Sequence, residues 1–418
     1  MFTTLRNAWK IPELRKKILF TLFVLLIYRL GSCVPVPYIN VDVLNNYYTQ
    51  QLSNTVLGLY NAMSGSAFSN ATVFALGIQP YINASIIIEL LCIAIPALER
   101  LAKDEGEEGK KKIQKITRYT TVGLSLLMGI AYYIMLKNAS AQYSILEQTS
   151  FVSGMVIVMT FMAGAAFLMW VGEQIDQFGI GNGISMILFA GIVSRVPSMV
   201  SSLFSLKWYV AILMVVGMLA IVMFIVFISN SERRIPVQYA KRVVGRKMYG
   251  GQSTHIPLKV NSSGVLPLIF ASALMQFPPT ILAMFGSSWW DQHINVMGFW
   301  YQLVFALLII GFTFFYSSIS FNPDEIAKNM QQNGGSIPGI RQGKPTALFI
   351  AKITKRINLF GALFLAVLAT IPTLIYGIAN VSLPFQASSL LIAVSVALET
   401  TRQLESQILM RHYKGFLK

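Results

Sequence analysis

Apolar stretches of about 20 residues, long enough to cross a bilayer as a helix, alternate with polar segments along the whole chain. The pattern therefore predicts a series of membrane-spanning helices rather than a soluble core. We place ten of them, near residues 18–34, 72–98, 119–136, 151–171, 183–203, 208–229, 262–285, 300–320, 357–378 and 386–406.

The composition agrees with a membrane protein that crosses the bilayer many times. Hydrophobic residues make up 55% of the 418 residues and charged residues only 12%, whereas a soluble domain carries about 25% charged residues. The two cysteines, Cys33 and Cys92, and the three histidines show no metal-binding spacing. We therefore expect no metal site and no cofactor.

The basic residues fall on one side of the ten-helix arrangement. Of the 33 lysines and arginines, 29 lie near the two termini or in the segments 99–118, 230–261 and 321–356. The exceptions are Arg29, Lys137, Arg195 and Lys207. Because cytoplasmic loops are enriched in lysine and arginine, we expect both termini in the cytosol. The net charge of +16 then marks cytosolic loops, and we expect no direct sequence-specific binding of nucleic acid.

Ten helices divide into two sets of five. Because each set has an odd number of helices, the second set enters the membrane from the opposite side and has the opposite topology. This arithmetic is typical of an inverted repeat. We expect an all-α membrane protein with ten transmembrane helices in two inverted five-helix halves, residues 1–205 and 206–418. The expectation rests on the count alone.

The second apolar stretch carries polar residues at membrane depth. One face at helical spacing holds Ile78, Ile82, Ser85 and Glu89. Gln79 and Asn83 form a second stripe beside that face. Polar groups in the hydrocarbon region are costly unless protein or water satisfies them. Two interpretations stay open: this helix lines a cavity, or it is buried and hydrogen-bonded to its neighbours.

Three further segments depart from simple membrane spans. Residues 35–71 are predicted to lie outside, and their run Val56–Phe68 is apolar, rich in glycine and too short to cross a bilayer. That run could be a surface helix or could fold back into the protein. The cytosolic loops 230–261 and 321–356 are long and basic, which is typical of functional loops that bind an acidic partner.

Two other functional classes were weighed against these features. A secondary transporter shares inverted repeats and broken helices, but it usually has coupled ionisable groups near the midplane. The candidates in this chain, Arg29, Glu89, Arg195 and Glu399, are all predicted off-centre. An intramembrane enzyme is not indicated, because the chain has no His-Glu-x-x-His, paired-Asp or Gly-x-Ser-x-Gly motif. We expect no enzyme and no catalytic residue.

Four stretches of the sequence resemble one family. They read ALGIQPYINASIII from Ala75, GNGIS from Gly181, QSTHIPLKVN from Gln252 and IPGIR from Ile337. Together they resemble the SecY family, the channel subunit of the bacterial Sec protein translocase, and the resemblance covers essentially all ten stretches. It implies a central pore that translocates unfolded polypeptides and releases apolar segments laterally into the membrane.

The resemblance also implies roles for individual residues. The pore ring, an apolar constriction, would consist of Ile78, Ile82, Ile184, Leu188, Ile269 and Ile392. The plug, near residues 57–68, would include Leu57, Leu59, Tyr60, Met63 and Phe68. The lateral gate, between the second and third stretches and the seventh and eighth, would include Asn83, Ile86 and Phe277. The partner-binding loops would present Lys241, Arg242, Arg246, Lys247, Arg341 and Lys344.

The family resemblance further implies a multi-pass protein in the cytoplasmic (inner or plasma) membrane of a bacterium. Its partners would be the SecE and SecG subunits, the SecA ATPase motor, the ribosome, signal peptides, nascent polypeptides and membrane lipids. Two positions depart from the family pattern. Glu89 stands where glutamine is common, and we expect it to line the cytosolic funnel. Gln342 stands where proline is usual, and we expect a less rigid loop tip there.

Overall fold

The computed structural model describes residues 2–52, 56–103, 105–204, 207–239, 242–244, 247–249, 253–261, 263–284, 293–294, 296, 298–379 and 387–415. Its helices in chain order are α1 Phe2–Lys10, α2 Pro12–Gly31, α3 Val41–Tyr47, a π-helical turn Tyr48–Leu52, α4 Val56–Met63, α5 Gln79–Ala94, α6 Pro96–Lys103, α7 Gly106–Tyr143, α8 Phe151–Phe178, α9 Gly183–Val193, α10 Val196–Phe204, α11 Trp208–Asn230, α12 Leu266–Met284, α13 Phe299–Ser320, α14 Pro323–Gln332, α15 Lys344–Ala379 and α16 Ala387–Gly415. Its strands are β1 Glu232–Tyr239, β2 Arg242–Val244, β3 Lys247–Tyr249, β4 Ser253–Lys259 and β5 Gly335–Ser336.

Within the described ranges, six helical stretches are long and apolar enough to cross a membrane, or seven if the bent pair α5 and α6 is counted as one. Each of the ten predicted stretches overlaps a described helix. Helices outside the six are interrupted or charged: α5 has 16 residues and meets α6 at 107°, and α2 carries Arg15, Lys16 and Lys17 in its first turns. The mostly helical fold is confirmed, and the count of ten stays a prediction.

Proline explains where helix α5 begins and ends. Pro80 lies in its first turn, where a missing N–H removes no helical hydrogen bond. Gly77, two residues before the helix begins, has φ +54°, a left-handed conformation that glycine adopts without strain. Pro96 follows the last turn and disfavours helical geometry at Ile95, which is extended. The chain therefore turns sharply into α6.

The long basic segments 230–261 and 321–356 contain β-structure, so the all-α expectation was incomplete. Strands β4, β1 and β5 form a three-stranded sheet in that order, and β2 pairs with β3. In β1, Ile235 and Val237 are buried and the residues beside them are exposed, an alternation with the period of a strand. These two side chains pack with Met330 of α14 and Ile350 of α15. The two long loops therefore share one small apolar core.

Two larger apolar clusters organise the membrane helices. One joins α2, α5, α8 and α9 to α11, α12, α13, α15 and α16, so it contains residues from both predicted halves. The other is built around Tyr132, Phe161 and Phe68 and joins α7 and α8 to the segment between α2 and α5. The first cluster is the one in which the predicted pore residues lie.

Candidate pore

The six predicted pore-ring residues all belong to the same apolar cluster. They come from four helices and the residue that precedes one of them: Ile78 and Ile82 from the start of α5, Ile184 and Leu188 from α9, Ile269 from α12 and Ile392 from α16. Five are buried and Ile184 is half-buried. Sequence positions more than 300 residues apart are thus brought to one place by the fold. Their role as a ring around a passage stays a prediction.

The polar stripe on α5 is buried and only partly satisfied. The Gln79 side chain is 3% exposed and donates through Nε2 to Sδ of Met63 at 3.4 Å. The Asn83 side chain is 4% exposed and donates through Nδ2 to Sδ of Met128 on α7 at 3.9 Å. Sulfur is a weak acceptor. Neither side-chain oxygen has a hydrogen-bond partner among the described residues, so the stripe keeps unused hydrogen-bonding capacity beside the ring.

The run Val56–Phe68 folds back into the protein rather than lying on its surface. Its helix α4 packs against α9 and α12. Tyr60 donates to the Leu76 carbonyl, and Tyr132 of α7 donates to the Phe68 carbonyl at 2.6 Å. The rings of Phe68 and Tyr132 stack with centroids 4.4 Å apart. Burial against three helices favours the second of the two interpretations drawn from the sequence.

The predicted plug residues divide between the two large clusters. Met63 is buried in the cluster that holds the ring. Tyr60 and Phe68 are buried in the other cluster, and Leu57 packs against it. Leu59 lies in α4, but its side chain is outside the described part. The segment therefore connects the cluster that holds the predicted ring residues to the cluster built around Tyr132 of α7.

The predicted lateral gate lies along α12. This helix packs against α5 and α7 on one side and against α13 on the other. Asn83 and Ile86 of α5 are buried, and Phe277 of α12 is half-buried. The seam between α12 and the pair α5 and α7 is closed in this structure. A face-to-face placement of Asn83 and Phe277 stays a prediction.

The predicted partner-binding residues are only partly described. Arg341 and Lys344 are exposed at the tip between β5 and α15. Arg242 and Lys247 lie in β2 and β3, whose side chains are outside the described part, and Lys241 and Arg246 are outside the described residues altogether. The tip is well tied: Gln342 donates through Nε2 to the Gly335 carbonyl at 3.1 Å, and Thr346 donates to the Arg341 carbonyl at 2.7 Å. These bonds oppose the expected loss of rigidity at Gln342.

The comparison with known proteins decides the family. Residues 72–401 match the SecY family model. The chain is 41% identical over 437 residues to the protein translocase subunit SecY of Halalkalibacterium halodurans, with both chains covered completely. The chain belongs to the SecY family.

Solved structures with the SecY-family fold are also similar. One, from a study reporting that the plug domain of its SecY protein stabilises the closed translocation channel and maintains a membrane seal, matches with a TM-score of 0.65 and 17% identity. The match covers 94% of this chain and 92% of that one. Sec61 in the canine ribosome-channel complex from the endoplasmic reticulum matches with a TM-score of 0.61, 16% identity and coverage of 94% and 92%.

A cavity of about 560 Å³ in this SecY-family chain was not foreseen from the sequence. It lies where the carboxyl end of α8, the start of α9, the end of β4 and α16 meet, and charged groups of both signs line it: Asp176, Lys259, Glu399 and Arg402. Arg402 donates to the Ser229 carbonyl and to Oδ1 of Asn230 at 2.7 Å. The sequence indicates Glu399 only as a candidate ionisable group of a transporter. Its neighbours come from four distant segments, so no local motif marks the cavity.

The sequence also missed an ion pair between α7 and α8. Arg118 donates through Nε to Oε1 of Glu173 at 2.8 Å, and the Gln114 amide donates to the same oxygen at 3.3 Å. Only 4% of the Glu173 side chain is exposed. A carboxylate within the apolar stretch Phe151–Phe178 was the available signal.

No three His, Cys, Asp or Glu side chains in the described ranges come together to hold a metal ion.

Proposed function

We propose that this chain is the protein-conducting channel of a bacterial Sec translocase, moving unfolded polypeptides across the cytoplasmic membrane. The carrying observation is the gathering of Ile78, Ile82, Ile184, Leu188, Ile269 and Ile392 into one apolar cluster beside the buried segment 56–76. A passage for chains of any sequence cannot rely on specific contacts. Flexible apolar side chains adapt to varied segments, and an empty apolar constriction resists wetting and so restrains ion leak.

The proposed architecture has ten transmembrane helices in two inverted halves with both termini in the cytosol. In support, the ring draws Ile82 and Leu188 from residues 1–205 and Ile269 and Ile392 from residues 206–418. The plug, gate and ring residues predicted from the sequence keep those roles in the proposal. The seam along α12 would open toward lipid, and an apolar segment of about 20 residues would then leave by burial in the bilayer.

Partner proteins supply the energy for polypeptide transport, and this chain contributes no catalytic residue. Exposed basic side chains such as Arg341 and Lys344 can attract acidic surfaces of a ribosome or the SecA motor. The ribosome is included because a canine Sec61 of the same fold was solved in a ribosome-channel complex. SecE and SecG are proposed as membrane partners, and nascent chains with their signal peptides as substrates.

Site-specific crosslinking to a stalled substrate tests the proposal. The chain is reconstituted with its partners, and a secretory polypeptide carrying one cysteine is arrested halfway. Ile82→Cys should form a disulfide with the substrate, because the ring surrounds the passage. Val216→Cys, on an exposed part of α11, is the matched control and should remain unlinked. Equal labelling of the two positions, or of neither, would contradict a central passage, and ion-coupled uptake of a small solute would favour a transporter.

A further inference from the structure

The buried segment contains a sharp turn whose carbonyl groups meet two neighbouring residues of α2. Gly65 and Ser66 both have positive φ, +67° and +70°. The Tyr28 hydroxyl donates to the Ser64 carbonyl at 3.4 Å, and Nη1 of Arg29 donates to the Gly65 carbonyl at 3.2 Å. Two consecutive donors at the external end of α2 thus hold two consecutive acceptors.

Helix α9 supports the same turn from another side. A Cβ atom added to Gly65 would lie 2.7 Å from Oγ of Ser194 and 2.8 Å from the Gly191 carbonyl oxygen. A Cβ atom added to Gly191 would lie 2.4 Å from the Met63 carbonyl oxygen. All three distances are shorter than real Cβ contacts allow, so glycine is needed at each of the two positions. The turn is enclosed between α2 and α9 at van der Waals distance.

Arg29 is one of the few basic residues that the charge bias leaves on the external side. Buried backbone carbonyls need donors, and a charged donor forms a stronger bond than a neutral one. Tyr28 is 1% exposed, whereas Arg29 is exposed. Water can therefore replace the bond from Arg29 when the segment moves, which makes the contact releasable.

We propose that Tyr28 and Arg29 hold the segment 56–76 in its buried position through their two hydrogen bonds, with Arg29 as a positioning residue for the plug. We call this pair of contacts the catch. The inference rests on the proposed function, in which that segment closes the channel. Helix α4 also contacts α12, which is the gate helix. When α12 moves away, the catch on α2 and the enclosure by α9 remain, and they set how readily the segment leaves.

Hydrogen exchange of the plug amides tests the catch without any transport. Exchange is followed at Ser66 and Ala67, whose amides bond to the Asn61 and Ser64 carbonyls, in the full chain with its partners in membrane discs. Arg29→Met should speed exchange by about tenfold or more, the order expected when a bond from a charged donor is lost. Arg29→Lys should restore part of the protection. Lys137→Met, at another exposed external basic residue, is the matched control and should leave exchange unchanged.

Two further variants disturb other contacts of the buried segment 56–76. Gly191→Ala should also speed exchange, because the new methyl group displaces the Met63 carbonyl, although alanine favours the helix itself. Tyr28→Phe should have a smaller effect than Arg29→Met, because its bond is already long. Exchange within twofold of the unchanged chain in both Arg29→Met and Gly191→Ala would overturn the catch.

Ion conductance of the idle channel then separates the catch from the proposed function. A faster exchange together with a higher conductance supports both. A faster exchange with unchanged conductance leaves the catch standing and contradicts the sealing role of the segment. Unchanged exchange overturns the catch, whatever the conductance.

Discussion

Nε of Arg118 lies 2.8 Å from Oε1 of Glu173, a contact that joins α7 to α8 across 55 residues of sequence. The Glu173 side chain is almost wholly buried, whereas that of Arg118 is 41% exposed. The pair therefore ties α7, one of the helices predicted to border the lateral gate, to α8. A second pair on α7, Lys112 with Glu105 at 2.7 Å, is exposed on both sides.

These two ion pairs should differ in their contribution to stability. Glu173→Leu leaves Arg118 and Gln114 without their acceptor, and we expect it to lower the free energy of unfolding by about 1.5–3 kcal/mol, the range for hydrogen bonds to charged groups. Glu105→Leu should have a much smaller effect, because both partners of that pair are exposed and water screens their attraction. Thermal unfolding in detergent measures both. Equal losses in the two variants would mean that burial does not set the strength of the pair.

Ion conductance should identify the predicted ring residues that seal the idle channel. Ile82→Asn or Ile392→Asn places a hydrogen-bonding group in the apolar cluster and favours water there. Conductance through the reconstituted idle channel should rise several-fold while the fold survives. Val216→Asn, on an exposed face of α11, should leave conductance unchanged. Unchanged conductance in both ring variants would place the constriction elsewhere.

Arg341 should act on a partner rather than on stability. It is exposed at a tip tied by Gln342 and Thr346, so Arg341→Glu reverses a charge without disturbing packing. Motor-driven translocation should fall several-fold while stability stays within about 0.5 kcal/mol. Lys352→Glu, an equal charge change at an exposed position of α15, should have little effect on transport. A parallel loss of abundance and transport would instead make Arg341 structural.

The membrane topology can be checked with cysteines and a reagent that does not cross membranes. Positions Lys112 and Lys344 lie in segments predicted to be cytosolic, and Lys137 lies in one predicted to be external. Cys33 is itself exposed, so Cys33 and Cys92 are first replaced by alanine. In intact cells, only Lys137→Cys should then react. Labelling at Lys112→Cys or Lys344→Cys would break the ten-helix arrangement.

A disulfide across the seam of α12 tests the lateral gate. A disulfide requires Cα atoms within about 7 Å, and Asn83 and Phe277 are predicted to face each other across the seam. Asn83→Cys with Phe277→Cys, in a chain whose Cys33 and Cys92 are replaced by alanine, should therefore oxidise readily. The locked channel should insert no membrane segments, and reduction should restore insertion. Asn83→Cys with Val216→Cys is the control pair and should not link. Normal transport by the locked protein would rule out lateral opening.

Features set by local composition were predictable from the sequence. Apolar length located a helix at each of the ten stretches. The residues of the predicted ring came from the family resemblance rather than from composition, and they lie in one cluster. Motifs indicated the segment around Tyr60, while composition left its burial open. Only the contact with Tyr132 and with α9 resolves that question.

Contacts between residues that are far apart in the sequence were not predictable. The pair of Arg118 and Glu173 needs two helices to be adjacent, and neither residue has a local pattern that names the other. The pairing of Gln238 with Ser336 joins segments 98 residues apart. In β1 the alternation of apolar Ile235 and Val237 with polar neighbours extends over only a few residues and includes Pro236, which is too weak a pattern to identify a strand from the sequence.

That pairing makes one mechanical unit of two loops. Strands β4, β1 and β5 are hydrogen-bonded side by side, and their apolar side chains pack on α14 and α15. The Val260 carbonyl lies so close to Gly361 of α15 that a Cβ atom there would be 2.5 Å away. A displacement of either loop therefore disturbs the hydrogen bonds and the packing of the other. Because β4 ends at Lys259 and α12 begins at Leu266, only the short segment 260–265 separates this sheet from the helix along which the lateral gate is predicted.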